Sequence, residues 1–313
     1  MLNRKYNKSH VVVKIVSLGI IYFIVANMLL QLLINFLGKY VFHIKNNFDI
    51  YPKVSEYLLN TEAGTLYLKI IESIGIFLTL TLLLRLFDNK SIKEIKFFQG
   101  SNRVKNMLIG LGLGALSITL IFLTLIWSGQ IITENSLKYP RIDYNVFLGI
   151  IVFILVAINE EVLCRGYILN MLDIKHKPLR ASIVSSCLFS IMHILNPNVK
   201  VMGLVNIFLI GMLFSYMYIK TNNLWMSIGH HTTWNYFQGN VFGFSVSGQN
   251  QFYPIYPIKY INKNIITGGK FGPEAGILAT LIIGINFVIV WEYINCKKQN
   301  IYFARSININ KDQ

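Results

Sequence analysis

Charged residues are scarce in this chain. Only 14% of its 313 residues are Asp, Glu, Lys or Arg, whereas 54% are hydrophobic. Soluble globular domains carry about 25% charged residues, so the composition argues against a soluble protein. It predicts an integral membrane protein instead.

Cysteine is rare as well. Cys164, Cys187 and Cys296 each lie inside or at the end of an apolar run. No two of them have the spacing of a metal-binding or redox motif. We therefore interpret all three as small hydrophobic residues.

Acidic residues are outnumbered by basic ones, 14 against 29, which gives a formal net charge of +15. The basic residues stand in short clusters between apolar runs, and no nucleic-acid-binding motif accompanies them. We therefore expect no nucleic-acid partner. The clusters indicate membrane topology and contact with anionic lipid.

The apolar runs predict an all-α, polytopic membrane helix bundle. A spanning helix needs about 20 mostly apolar residues, and about eight segments approach that length. With the N-terminus in the cytoplasm, the inner connections hold sixteen Lys and Arg and the outer ones nine, so we expect both termini to be cytoplasmic. The segments are 11–37, 66–87, 104–126, 146–169, 181–195, 201–219, 224–242 and 275–294.

Four regions follow from this topology. Residues 1–145 are expected to form an N-terminal region of three membrane helices with loops, whose first helix is too long for a signal peptide. Residues 146–243 would form the core that carries the motifs below, and 244–274 an outer loop rich in Gly and Pro turn formers. Residues 275–313 would form the last transmembrane helix and a cytoplasmic tail. Between the first two spans, 43–65 is expected to be an exposed loop.

The first motif is Glu160-Glu161-x-x-x-Arg165, inside an otherwise apolar run. Charge within a membrane is costly and marks a candidate functional site. Glu161 and Arg165 are four residues apart and share a helix face, so an ion pair would make their burial tolerable. Glu160 lies about 100° away around the helix and is left free for chemistry. The alternative is a purely structural charge cluster.

Two further motifs carry histidine. Phe189-x-x-x-His193 lies in the predicted fifth span, where a lone His is more often a hydrogen-bonded core residue than a catalyst. In the seventh span, His231 and Asn235 share one helix face, and His230 is interpreted as a packing residue. Interhelical hydrogen bonding is the structural alternative for this pair. Glu160, His193 and His231 are nevertheless expected at similar depth, which favours one shared site.

The three motifs, in this order on successive membrane helices, resemble those of the CAAX protease and bacteriocin-processing (CPBP, or Abi) family of intramembrane endopeptidases. The Ras-converting prenyl-protein protease is related to that family. The match covers about residues 146–242, and the segment 271–276 is also similar. Cys164 departs from the pattern, because many members have Phe directly before the arginine, and this changes the packing beside the site.

The resemblance implies an intramembrane protease mechanism. Glu160 and His193 would activate a water for attack on a peptide carbonyl, while His231 and Asn235 would stabilise the oxyanion. The remaining acid and the arginine of the first motif, Glu161 and Arg165, would support the site.

The resemblance leaves metal dependence open. Glu160, His193 and His231 are the candidate ligands of a divalent metal such as zinc, yet no His-Glu-x-x-His helix is present. The family chemistry is also compatible with a glutamate-dependent mechanism without metal.

The resemblance implies a membrane-associated protein or peptide precursor as substrate, in the bilayer of a bacterial cell. Bacteriocin processing is one possible role. Two other function classes stay open at this level. One is a non-catalytic immunity or regulatory protein, and the other is a transporter that relays protons through its buried Glu and His residues.

Overall fold

The computed structural model describes residues 8–95, 97, 102–172, 176–250 and 253–309. Across these residues, six helices are long and apolar enough to cross a membrane. The chain is thus a multi-pass membrane protein with an all-α bundle, as predicted. The ends 1–7 and 310–313, which the predicted topology assigns to the cytoplasm, lie outside the described residues, and both the orientation and the four-region division stay predictions.

Long helices follow one another along the chain, joined by short turns and two small strands. The α-helices are α1 (Lys8–Phe36), α2 (Asn47–Asn60), α3 (Glu62–Leu83), α4 (Arg103–Trp127), α5 (Tyr144–Glu161), α6 (Leu169–Met171), α7 (Pro178–Ile191), α8 (Val201–Thr221), α9 (Trp225–Tyr236) and α10 (Ile277–Ile309). The π-helical turns are Leu37–Val41, Leu84–Asp88, Val162–Ile168 and Phe237–Val241, and the 3-10 turns are Ile92–Glu94, Gly269–Phe271 and Pro273–Ala275. Strands β1 (Ile131–Thr133) and β2 (Ile258–Tyr260) pair antiparallel, with Ile131 opposite Tyr260.

Two of the eight predicted spans are shorter than a full crossing. α7 has 14 residues and α9 has 12. Pro178 lies in the first turn of α7, and α9 is rich in Ser, His, Thr and Asn, which lowers its hydropathy. These two helices hold or directly precede the histidines of the second and third motifs. Polar composition and short length therefore go together around the candidate site.

The expected loop at 43–65 is wrong, because most of it forms α2. Its N-cap, Asn46, accepts a hydrogen bond from the backbone N–H of Phe48. Ile50, Val54 and Leu58 recur every four residues and are buried, so they form one apolar stripe. This period is visible in the sequence, but it is diluted by the polar residues of the opposite face.

Helix α9 is held closest to α4. Gly110 and Gly114 of α4 face the backbone of α9 at Met226 and His230, and a side chain at either glycine would collide with that backbone. Small residues of this kind let membrane helices approach closely. The contact fixes α9, the helix that carries the third motif.

This close approach predicts a position-specific effect of added volume. Gly110→Val should lower the stability of the folded protein by about 1–3 kcal/mol or more, because backbone atoms cannot move aside as a flexible side chain can. The matched control is Gly112→Val, since a Cβ at Gly112 meets nothing within 4 Å. Thermal unfolding in detergent measures both variants. Equal stability of the two would contradict the packing described.

Candidate active site

One cavity of about 290 Å³ brings the predicted catalytic residues together. Glu160, His193, His231 and Asn235 all line it. They come from the end of α5, the turn after α7 and the face of α9. Three motifs that are separated by up to 75 positions in the sequence therefore converge on one space.

The two acids of the first motif have different surroundings. Glu160 lines the cavity and its side chain is 21% exposed, whereas the side chain of Glu161 is fully buried. Within the described residues, Glu160 Oε2 has no hydrogen-bond partner. The sequence-based distinction between a free acid and a paired acid thus matches the geometry.

Arg165 is the partner of the buried acid. Its guanidinium donates to Glu161 Oε1 at 2.7 Å and to the carbonyl oxygen of Gly211 in α8 at 3.1 Å. It also lies over the rings of Phe189 and Phe214, with its Cζ at 4.5 and 5.3 Å from the ring centroids. A buried cation needs such partners to offset lost hydration. Arg165 thereby joins the end of α5 to α7 and α8.

His231 lies between the two acids. Its Nδ1 is 3.4 Å from Glu161 Oε1, and its Nε2 is 3.7 Å from Glu160 Oε2. The ring also stacks on Phe214, with centroids 5.4 Å apart. His231 therefore links the buried ion pair to the cavity-facing carboxylate.

His193 lies beyond the end of α7, so the prediction that it lies within a membrane helix is wrong. The helix ends at Ile191, and His193 follows in a turn. Its Nδ1 is 2.8 Å from the carbonyl oxygen of Phe189. Because a carbonyl oxygen only accepts, Nδ1 carries the hydrogen, and Nε2 is left available for other partners.

His230 is not among the residues that line the cavity, in agreement with its interpretation as a packing residue. Its Nε2 is 3.2 Å from Nδ2 of Asn286 in α10, which also donates to Ser117 Oγ of α4 at 2.8 Å. The ring stacks on Trp234. His230 thus binds α9 to its neighbours, while the adjacent His231 faces the cavity.

The motif analysis missed a third acid in the cavity, Glu274. It lies in the 3-10 turn before α10 and is 9% exposed. Burial raises the pKa of its carboxyl group, an effect that hydrogen bonds from Ser247 and the nearby His193 partly oppose. Only the resemblance of segment 271–276 pointed towards it, because nothing in the local pattern links Glu274 to the site residues that lie 39 to 114 positions earlier.

An ion pair on α3 also reaches the cavity. Lys69 and Glu72 line it and are joined at 2.7 Å. The N-terminal membrane region, for which the sequence offered no chemistry, therefore contributes one wall of the site.

Metal binding by Glu160, His193 and His231 stays a prediction. In the part of the chain that the structure describes, no three His, Cys, Asp or Glu side chains form a group that could hold a metal ion. Glu160, His193 and His231 share the cavity as separate groups.

The model of one protein family matches residues 142–237. The family is Rce1-like, and its description is "Type II CAAX prenyl endopeptidase Rce1-like". The match confirms the resemblance to CAAX-type membrane proteases, and it spans all three motifs. No curated protein and no solved structure matches the chain.

The buried ion pair predicts a coupled stability effect. Arg165→Met should destabilise the protein by about 3–5 kcal/mol, because the carboxylate of Glu161 is left buried without its cation. Adding Glu161→Gln should restore part of that loss. The matched control is Lys69→Met, since that pair is about 30% exposed and should cost about 1 kcal/mol or less.

Unfolding of the single and double variants in detergent measures these differences. If the double variant is no more stable than Arg165→Met alone, the ion pair does not have the predicted stabilising role.

Proposed function

We propose that this chain, whose residues 142–237 match the model of the Rce1-like family of CAAX-type endopeptidases, is an intramembrane endopeptidase that uses Glu160 as its general base. It would hydrolyse a peptide bond in a membrane-associated protein or peptide precursor. The observation that carries the proposal is the convergence of Glu160, His193, His231 and Asn235 on one cavity.

The first step is attack by water. Glu160 takes a proton from the water, whose oxygen forms a bond to the carbonyl carbon of the substrate. The free Oε2 of Glu160 and the available Nε2 of His193 support this assignment, because both can accept a hydrogen bond from that water. The carbonyl oxygen becomes the oxyanion of a tetrahedral intermediate.

His231 and Asn235 would donate hydrogen bonds to this oxyanion. If His231 donates through Nδ1 to Glu161, its Nε2 must also carry a hydrogen to reach the oxyanion. The role therefore requires the doubly protonated ring. Its position between two carboxylates supports this charge state.

In the second step, the intermediate collapses. Glu160 returns the proton to the departing amide nitrogen, the C–N bond breaks, and the products are a carboxylic acid and an amine. One carboxyl group thus acts first as base and then as acid. Glu161 and Arg165 would hold His231 and the end of α5 in place.

The surroundings of the cavity favour a substrate that is already at the membrane. The cavity is walled by α3, α5, α8 and α9 of a membrane bundle, so an extended segment must enter among these helices. A peptide precursor, including a bacteriocin leader, and a prenylated protein are both compatible with this route. Comparison of the membrane and secreted peptides of cells that carry either the native protein or Glu160→Gln would identify the class.

The general base predicts a large and selective loss of activity. Glu160→Gln should lower the rate of cleavage by about 10²–10⁴-fold, with normal folding, because the amide keeps the shape and loses the basic oxygen. The measurement is cleavage of a substrate identified in the peptide comparison, by protein reconstituted in lipid. The matched control is Glu56→Gln, the same change at an exposed position on α2, which should leave the rate unchanged.

Normal turnover by Glu160→Gln would refute the mechanism. If an immunity phenotype survived in that variant and no cleavage was found in the native protein, a non-catalytic membrane protein would be favoured instead.

The proposed mechanism contains no metal-dependent step, which predicts tolerance to chelation. Treatment with EDTA, followed by its removal, should change the cleavage rate by less than about twofold, whereas loss of a catalytic zinc removes a dominant contribution. Elemental analysis of the treated and untreated protein is the accompanying measurement. Activity that is lost with a stoichiometric metal and regained when the metal is added back would replace this mechanism with a metal-assisted one.

A further inference from the structure

Glu274 is fixed at the edge of the cavity by contacts to its own backbone. The side-chain amide of Asn206 in α8 donates to the carbonyl oxygens of Glu274 and Gly276 at 2.7 and 3.0 Å. The turn Pro273–Ala275 is therefore held to the bundle before α10 begins. The backbone from which the Glu274 side chain extends is therefore held in one place.

The carboxylate in turn holds the connection between the third motif and α10, from which Val246, Ser247 and Gln249 line the cavity. Oε2 of Glu274 accepts hydrogen bonds from the backbone N–H of Ser247 at 2.7 Å and from its hydroxyl group at 2.9 Å. Ser247 has a positive φ of 46°, a conformation that is costly for a residue with a side chain. Both bonds to Glu274 help to hold it there.

From Ser247 the contacts continue to the turn that carries His193. The carbonyl oxygen of Ser247 accepts from the side-chain amide of Asn196 at 3.0 Å, and the backbone N–H of Asn196 donates to the carbonyl oxygen of His193 at 3.1 Å. Three hydrogen-bonded contacts thus lead from Glu274 to His193. The turn has left α7 and lacks the support of that helix.

Glu274 and His193 also line the same cavity. Within the described ranges, no Lys or Arg side chain forms an ion pair with Glu274. The hydrogen bonds to Ser247 are therefore the main polar contacts of its carboxylate.

We infer that Glu274 is a positioning residue for His193, which it fixes through Ser247 and Asn196. The inference rests on the proposed function, since it assigns His193 to the activation of water. The other charged or titratable groups that face the same cavity are Glu160, His231, Lys69 and Glu72. All four stay unchanged in the variants below.

The test removes the hydrogen-bond acceptor and then restores it. Glu274→Ala removes the carboxylate, Glu274→Gln keeps an acceptor oxygen on a side chain of the same length, and Asn196→Ala breaks the next contact. Cleavage is measured in lipid-reconstituted protein, with kcat and KM determined separately, together with the unfolding temperature.

Glu274→Ala and Asn196→Ala should each lower kcat about tenfold with little change in KM, because the turn that carries His193 loses a contact that fixes it. Glu274→Gln should keep kcat within about threefold of the native value, since its amide oxygen can still accept a hydrogen bond from Ser247.

A second measurement does not depend on proteolysis. In NMR spectra of histidine-labelled protein at one fixed pH, the ring resonances of His193 should shift in Glu274→Ala and Asn196→Ala and stay close to their native positions in Glu274→Gln. If neither the native protein nor any variant cleaves, the proposed function fails, while these resonances still test whether Glu274 positions His193.

A purely structural role makes a different prediction. Glu274→Ala and Asn196→Ala would then lower the unfolding temperature, with kcat and the ring resonances of His193 both unchanged. That result would overturn the inference.

Discussion

The cost of burying charge is the constraint on which the site depends. Arg165 and Glu161 have no exposed side-chain surface, and each would be strongly destabilising alone. The pair is stable where α5 ends, because α8 supplies a carbonyl oxygen and two aromatic rings cover the guanidinium. The π-helical turn from Val162 to Ile168 carries Arg165 within this arrangement. The neighbouring Glu160 is thereby left at the cavity with an unpaired oxygen.

The local part of this arrangement could be predicted from the sequence. A spacing of four residues brings Glu161 and Arg165 together, and the rotation of about 100° per residue separates Glu160 from Glu161 and His230 from His231. Both rules depend only on positions within one helix. The order of the three motifs, together with the family that they resemble, then indicated that these helices share a site.

Other features lay beyond such rules because they depend on contacts between distant segments. The end of α7 at Ile191 moves His193 into a turn, which an apolar pattern that continues to Leu195 does not reveal. Glu274 gains its place from Asn206 and Ser247. The wall formed by Lys69 and Glu72 depends on how α3 packs against α5. Helix α2 was missed for another reason, since its apolar stripe is narrow and its exposed face resembles a loop.

The two adjacent histidines of α9 make contacts on two different sides of that helix, and these contacts fix its rotation. His230 is bound to Asn286 on one side, and His231 meets the two acids on the other. Any twist of α9 that moved His231 within the cavity would also strain the bond between His230 and α10, while the glycine contact with α4 leaves no room for a sideways shift. Helix α10 is therefore connected to the site through His230, although it carries none of the three motifs. A rotation of α9 that displaced His231 would therefore change the contact between His230 and Asn286.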